Sequence, residues 1–168
     1  MDANDQTLGS REKMEAHRLG LLHRAFSIFI FNSRGEMLLQ QRALSKYHSG
    51  GLWTNACCSH PMPGEQTLDA AHRRLKEELG FDTDLEKAFD FVYRAELDSD
   101  LTEHEFDHVF VGQYDGIVLF NKDEAMNCTY KSMEAIRQEL DRDRSKYTVW
   151  FYIAFAGIEE WWGNYYDK

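Results

Sequence analysis

The sequence contains little cysteine and little proline, and it lacks long apolar runs. These absences exclude several classes of protein. Its 168 residues include three cysteines and two prolines. Cys57 and Cys58 are adjacent and therefore poorly placed to form a disulfide with each other, and the absence of a CxxC pair excludes a four-thiolate zinc site. A reducing compartment fits best. Because the N-terminal segment lacks the apolar core of a signal peptide and no apolar run reaches about 18 residues, we expect a cytoplasmic protein with no membrane partner.

Positive charge is also scarce, with 19 basic against 29 acidic residues and a formal net charge of −10. A field of that sign repels nucleic acid, so we expect no nucleic-acid partner. It also repels phosphorylated ligands, which would need local cations or a metal. The length is that of one domain, so we expect a single domain over residues 1–168, monomeric, with residues 1–11 as a mobile tail.

The order of the predicted elements is mixed, and it indicates an α/β (α+β) fold. Apolar and β-branched runs predict a hairpin, with strands at 25–31 and 37–41, and a further short strand in GLWTNACC from residue 51. Apolar residues at spacings of three and four in GEQTLDAAHRRLKEELGF predict a helix that stops at Gly80. Further strands are predicted at 89–97, 105–114 and 116–120, and helices at 133–140 and 147–162.

That central helix carries the most specific spacing in the chain. Glu65 is followed by seven residues and then by RRLKEELGF, residues 73–81. This resembles the Nudix box, in which Gly, five residues, Glu and seven residues precede Arg-Glu-aliphatic-any-Glu-Glu-any-Gly-aliphatic. Ser59 replaces the first Gly, Arg74 replaces the Glu after Arg, and Phe81 is aromatic. The resemblance implies a Nudix-type mixed sheet sandwiched between helices.

The charged side chains of this helix are compatible with two interpretations. Its carboxylates can hold a hard divalent cation that bridges to a diphosphate, and its arginines can pair with phosphate. The alternative is a solvated helix face with Glu/Arg pairs at i, i+4. Arg74 weakens the hydrolase version of the first reading, because hydrolytic members of the family use a metal-holding Glu there.

A second group of candidate metal ligands is spread along the chain. If TEHEFDH enters a strand, Glu103 and Glu105 share one face, and a cation between the two carboxylates would stabilise both. Histidines would complete a set that suits Mn²⁺, Zn²⁺ or Mg²⁺ without choosing among them. An exposed charged loop explains the segment equally well. The candidate ligands are His17, His23, His60, Glu103 and Glu105.

The motifs LLHRAFS, QQRALSK, WTNACCSHP, the altered box, YRA and TEHE together resemble the type I isopentenyl-diphosphate isomerase family, from about Lys13 to Trp162. The resemblance implies interconversion of isopentenyl and dimethylallyl diphosphate through a tertiary carbocation, in isoprenoid biosynthesis. It implies that Cys58 and Glu105 are the opposing acid and base, exchanging roles with direction, and that Cys57 is packing. Positive neighbours are expected to favour the Cys58 thiolate.

The resemblance also assigns the remaining site residues. It implies a Mn²⁺ or Zn²⁺ site formed by His17, His23, His60, Glu103 and Glu105. It implies a substrate-bound Mg²⁺ held by Glu78 and the main-chain carbonyl of Cys58. It implies diphosphate contacts from Lys13, Arg42, Lys46 and Arg74, with Tyr93 and Trp150 completing the pocket. Core packing is the alternative for these two aromatic residues, since a Trp face stabilises a cation only where it meets one.

Two rival functions share parts of this pattern. A Nudix pyrophosphohydrolase acting on a nucleoside diphosphate-type substrate would have the same fold but would not need Cys58. A non-catalytic metal- or diphosphate-binding module would keep Glu78 and the cations but tolerate loss of Glu105. Both predict that Cys58→Ala is harmless, whereas the isomerase hypothesis predicts near-total loss of activity.

Overall fold

The computed structural model describes residues 1–97 and 100–166, which form four α-helices and seven strands. The strands are β1 (His23–Phe31), β2 (Glu36–Arg42), β3 (Trp53–Thr54), β4 (Cys57–Ser59), β5 (Leu85–Glu96), β6 (Thr102–Gln113) and β7 (Ala125–Ser132). The helices are α1 (Lys13–Leu19), α2 (Thr67–Leu79), α3 (Met133–Asp143) and α4 (Val149–Tyr166), with a short 3₁₀ helix at Arg144–Lys146. No helix in this part of the chain is long and apolar enough to cross a membrane.

All seven strands join one mixed sheet built around β1. The main order is β3-β2-β1-β6-β5, while β4 pairs with β1 and β7 pairs with β2. β1 runs parallel to β6, in a register that sets His23 beside Glu105. β4 runs antiparallel to β1 and sets Cys58 beside Ser27. The sheet therefore sets a histidine beside a carboxylate at the start of β1 and places a thiol from a third segment four residues further along the same strand.

Helices cover both faces of the sheet, as the resemblance implied. Alternate β1 residues point to opposite sides because side chains alternate along a strand. Ile28 and Ile30 pack in a cluster with Leu75 of α2. Phe29 on the other face belongs to a cluster with Phe151 of α4. Each fully buried side chain of this size contributes about 1.5–3 kcal/mol relative to exposure, so the two clusters hold the sheet between its helices.

The predicted central helix and its stop are confirmed. Leu75 and Leu79 are fully buried, whereas Leu68 of the same apolar pattern is 40% exposed and lies outside the core. Gly80 ends α2 with φ of 74°, a left-handed conformation that favours glycine. A Cβ at Gly80 would also lie 2.6 Å from the carbonyl oxygen of Leu119. Only glycine fits this close approach.

Three local predictions were wrong. Residues 116–120 are not a strand; Leu119 N donates to Leu79 O at 3.2 Å and Asn121 N to Glu78 O at 2.8 Å, so this segment satisfies the otherwise unpaired carbonyls at the end of α2. β7 was missed because AMNCTYKS has little apolar alternation; its pairing with β2 holds it in place. α1 was missed because it has only seven residues, between a Glu12 cap and Gly20.

The single-domain prediction spans residues 1–168, and its positions 98, 99, 167 and 168 lie outside the described residues. The predicted mobility of residues 1–11 also stays a prediction. In the structure Asp5 accepts a hydrogen bond from Arg24 Nε at 2.6 Å and lies 3.2 Å from His108 Nε2. This segment thus has one anchored point on the sheet.

Candidate active site

One pocket brings together most of the residues that the sequence singled out. It opens where β1, β4 and β6 lie side by side, between α2 and the start of α4. The site residues predicted from the sequence that line this pocket are Lys13, Arg42, Lys46, Cys58, His60, Arg74, Glu78, Glu103, Glu105 and Trp150. His17, His23 and Tyr93 do not line it, but each contacts the lining: the His17 and His60 ring centroids are 5.6 Å apart, and the other two contact Glu105.

The two adjacent cysteines have different surroundings. Cys57 is fully buried in the core cluster beneath α2, as expected for a packing residue. Cys58 faces the pocket, and its Sγ lies 3.0 Å from Asn55 Oδ1. Burial, with a further contribution from the Asp107 carboxylate, raises the pKa of the Cys58 thiol far above its ordinary value. The Arg42 cation lowers this pKa, as expected of a positive neighbour, but the effect of burial is larger.

Glu103 and Glu105 converge on Tyr93, which confirms that the two carboxylates share a strand face. The Tyr93 hydroxyl lies 2.9 Å from Glu103 Oε2 and 2.8 Å from Glu105 Oε2. Burial and the charge of Glu105 raise the pKa of Glu103 well above its usual range. Burial also acts on Glu105, but hydrogen bonds from His23 and His60 outweigh it and hold its pKa well below that range. The surroundings therefore move the pKa values of the two carboxylates in opposite directions.

The histidines are oriented as metal ligands would be. His17 Nδ1 lies 2.7 Å from Lys13 O and His23 Nδ1 lies 2.7 Å from Leu21 O, so each Nδ1–H donates to a backbone carbonyl and the Nε2 side of each ring faces inward. His17 Nε2 and His60 Nδ1 are buried without a hydrogen-bond partner in the described structure, whereas His23 Nε2 lies 3.4 Å from Glu105 Oε1. Backbone carbonyls that fix the outer nitrogen are typical of metal-bound histidine.

Potential ligand atoms fall into two overlapping groups. His17, His23, His60 and Glu105 lie within 4.8 Å of one another, and so do His17, His48 and Glu103. Burial lowers the pKa of His60 to about 4, which keeps its nitrogen lone pair free at neutral pH. These residues fit a divalent transition metal by donor type, orientation and orphaned nitrogens.

The four predicted diphosphate cations all line the pocket, and one carboxylate, Glu124, holds two of them. Glu124 accepts from Lys46 Nζ at 2.5 Å and from Arg74 Nη2 at 3.0 Å. Arg42 Nε and Arg74 Nε are buried without a hydrogen-bond partner among the described residues. Because a buried unpaired donor is costly, these two guanidinium groups are suited to an anionic ligand.

The altered Nudix box forms two ion-pair groups, one around Arg73 and one around Arg74, and Glu77 links them by pairing with both arginines. Glu65 accepts two bonds from Arg73, at 2.8 Å and 2.9 Å, which fixes the loop before α2. Glu78 is nearly buried and pairs with Arg74 at 2.5 Å, while its other oxygen accepts from Gln40 at 3.2 Å. Arg74 thus occupies the box position of a family glutamate and neutralises Glu78.

Trp150 lines the pocket rather than only packing in α4. Its Nε1 donates to Thr54 Oγ1 at 2.9 Å, and the Arg42 guanidinium carbon lies 5.2 Å from its ring centroid. The ring already stacks with one cation, which is the behaviour expected of an indole face.

Sequence reasoning missed several residues of this pocket. His48 is 6% exposed, with Nε2 3.7 Å from Glu103 Oε1, and burial lowers its pKa to about 3. Glu124, which also lines the pocket, was missed, and so was Asn55, which is buried behind the lining against Cys58. None of them belongs to a periodic pattern, and His48 and Glu124 lie between strands. The position of His48 between the QQRALSK and WTNACCSHP motifs was the available signal.

Comparison with known proteins agrees with this fold. A family model described as the NUDIX domain matches residues 21–151. The MutT protein from Methanosarcina mazei superposes with a TM-score of 0.67 at 19% identity, over 83% of this chain and 92% of that one. The MutT NUDIX hydrolase from Burkholderia pseudomallei gives 0.64 at 16% identity, over 82% and 98%. The protein is a Nudix-family protein, and these low identities show the fold alone.

Closer relatives carry one name. The chain is 50% identical to the isopentenyl-diphosphate Delta-isomerase of Pectobacterium atrosepticum, over 96% of this chain and 90% of that protein. It is 52% identical to the same-named protein of Serratia proteamaculans, over 90% and 84%. Within the Nudix proteins, the chain belongs to the isopentenyl-diphosphate Delta-isomerase family.

Proposed function

We propose that this pocket interconverts isopentenyl diphosphate and dimethylallyl diphosphate, a step of isoprenoid biosynthesis. The support is a chain about half identical to named isomerases over nearly its whole length. The main structural support is that Cys58 and Glu105 line one pocket, and that the pKa of Cys58 is raised while the pKa of Glu105 is lowered. A reaction that adds one proton and removes another needs a group of each kind in reach of the substrate.

Cys58 and Glu105 exchange one proton each with the substrate. One group protonates the terminal carbon of the alkene, which leaves a tertiary carbocation. The other removes a proton from the neighbouring methylene, and the C–H electrons form the new double bond. Reversing the reaction exchanges the two roles. The thiol of Cys58 and the carboxylate of Glu105 together hold one exchangeable proton, and no net proton is consumed in either direction.

Trp150 and Tyr93 serve the charged intermediate and the carboxylates. The Trp150 indole face stabilises the carbocation, an effect of about 2 kcal/mol when water is excluded. Exclusion of water is essential because water would trap the cation as an alcohol. The Tyr93 hydroxyl keeps Glu105 in its position by donating to the carboxylate pair.

Residues of the chain hold two cations in this proposal. His17, His23, His60, Glu103 and Glu105 would hold Mn²⁺ or Zn²⁺, and Glu78 with the Cys58 carbonyl would hold an Mg²⁺ that arrives with the substrate. When bound, the first ion withdraws charge from the carboxylates and the second neutralises the diphosphate. His48 is a neighbour of the first set through Glu103.

The cations Lys13, Arg42, Lys46 and Arg74 bind the diphosphate, which overcomes the repulsion of a chain with net charge −10. Glu124 holds Lys46 and Arg74 until phosphate oxygens replace it. The proposed enzyme is monomeric and cytoplasmic, and its partner is a small diphosphate. The negative charge of the chain argues against a nucleic-acid partner or an acidic membrane partner.

Phosphorus and proton NMR of reactions started from either side test this function. With Mg²⁺ and Mn²⁺ present, isopentenyl diphosphate and dimethylallyl diphosphate should reach the same mixture, and no inorganic phosphate should appear. Cys58→Ala should stop both reactions. Release of inorganic phosphate would establish the hydrolase alternative instead, and full isomerisation by the Cys58→Ala variant would refute the proposed role of this thiol.

A further inference from the structure

A continuous chain of hydrogen bonds joins Cys58 to Trp150 through two residues of the WTNACCSHP motif, Thr54 and Asn55, that have so far been given no role. Cys58 Sγ lies 3.0 Å from Asn55 Oδ1, and Thr54 Oγ1 lies 2.8 Å from the same oxygen. Trp150 Nε1 lies 2.9 Å from Thr54 Oγ1. Thr54 and Asn55 are 1% and 0% exposed. The residues at the two ends are 92 positions apart in sequence, so this bridge is their physical connection.

The direction of every bond in the bridge is fixed by elementary chemistry. Asn55 Nδ2 lies 3.0 Å from both Ile28 O and Cys57 O, so it must be the donor and Oδ1 the acceptor. Thr54 therefore donates its only hydroxyl proton to Asn55. The Trp150 indole can only donate, and it uses the lone pair of Thr54. The Cys58 thiol then points its proton at Asn55.

The bridge leaves Thr54 and Asn55 no other arrangement. Flipping the Asn55 amide would bring its NH₂ group against the Thr54 and Cys58 donors and its oxygen against two carbonyls. Rotating Thr54 would leave the Trp150 N–H buried and unpaired, which is costly. A thiol and an indole that hold opposite ends of so constrained a unit are fixed relative to each other.

We propose that Thr54 and Asn55 are positioning residues that set the Cys58 thiol and the Trp150 indole at a fixed relation across the substrate. This inference rests on the proposed isomerase function. The proton must enter or leave at Cys58 while the developing cation lies against Trp150. Misplacing one of them by a fraction of an ångström lowers the rate of the chemical step more than it lowers binding.

Thr148 supplies a matched control for the bridge. Its hydroxyl lies 3.0 Å from Thr54 Oγ1 and is equally buried. Since the Thr54 proton goes to Asn55, Thr148 is a second donor at the edge of the unit and not part of the path. Thr148→Val therefore removes a buried hydroxyl from the same cluster while leaving the bridge intact.

The experiment compares Thr54→Val, Thr54→Ser and Thr148→Val by steady-state kinetics and by ¹H–¹⁵N spectra of the tryptophan indole groups. Thr54→Val should lower kcat roughly tenfold with KM within about twofold, and should move the Trp150 indole proton signal upfield. Thr54→Ser should restore both, and Thr148→Val should keep both. If Thr54→Val does not fold, Thr54→Ala removes the same hydroxyl without the added methyl group.

Equal losses of kcat in Thr54→Val and Thr148→Val would overturn the proposal, as would an unmoved Trp150 signal in Thr54→Val. The indole signal is read without substrate. If the wild-type protein shows no isomerase activity while Thr54→Val still moves the Trp150 indole signal, the proposed function is refuted but the hydrogen-bonded bridge is not.

Discussion

Replacing Tyr93 with phenylalanine tests whether the two pocket carboxylates depend on one hydroxyl. The change removes a single oxygen that lies 2.9 Å from Glu103 and 2.8 Å from Glu105, at a side chain only 6% exposed. One hydroxyl proton serves one carboxylate at a time, so the loss is one hydrogen bond to a charged group, about 1.5–3 kcal/mol. If that bond holds Glu105 in its reactive position, kcat falls by roughly 10- to 100-fold.

The assay is steady-state isomerisation of isopentenyl diphosphate, with thermal denaturation to show that the variant is folded. Tyr147→Phe is the matched control, because the Tyr147 hydroxyl donates to the Glu139 carboxylate at 2.6 Å, and neither residue lines the pocket. It should keep wild-type kcat. A folded Tyr93→Phe protein with kcat within about twofold of wild type would refute the reasoning that this hydroxyl holds the catalytic carboxylate.

The other predictions concern the thiol, the metal ligands and the altered box. Cys58→Ala should lower kcat by roughly 10²- to 10⁴-fold, whereas Cys57→Ala, measured by the same assay and by denaturation, should keep activity and lose about 1 kcal/mol of stability through a small core cavity. Adding Mn²⁺ to about 100-fold over its dissociation constant should raise the melting temperature of the metal-free protein by roughly 5–10 °C, and His23→Ala should lose most of that rise; an equal rise in the variant would contradict the proposed ligand set. Because the Arg73 guanidinium lowers the pKa of Glu65 to about 2 from 4.5, the stability that this pair adds is present above about pH 5 and is lost as the pH falls toward 2. Arg73→Gln should remove about 1 kcal/mol of that acid-sensitive stability, given the partial exposure of the pair, and denaturation curves at pH 6 and pH 3 would show whether the difference is there.

Local patterns allowed much of the fold to be predicted. The spacing of Leu75 and Leu79, with Gly80 after them, identified α2 because helix burial and termination depend on nearby residues. β7 escaped because its position depends on pairing with β2, and its polar sequence carries no burial signal of its own. The predicted strand at 116–120 was wrong because its apolar residues are exposed or cover the end of α2.

The site residues also fall into two sets: those that local motifs predicted, and those whose contacts depend on distant segments of the chain. The motifs were enough to predict that Cys58, Glu105 and the four cations share one pocket. It could not reveal His48 or Glu124, whose contacts arise only when distant segments meet. The charge state of Cys58 was also beyond the sequence, because burial and Asp107 determine its pKa, and both depend on how β1, β4 and β6 pack together.

Isomerisation of isopentenyl diphosphate in deuterated water tests the central claim most directly. Proton addition and removal by Cys58 and Glu105 predicts dimethylallyl diphosphate that carries deuterium in its new methyl group, with no release of inorganic phosphate. Both results come from one set of proton and phosphorus spectra. Product without deuterium would contradict protonation by an exchangeable group of the protein, and release of inorganic phosphate would contradict isomerisation itself.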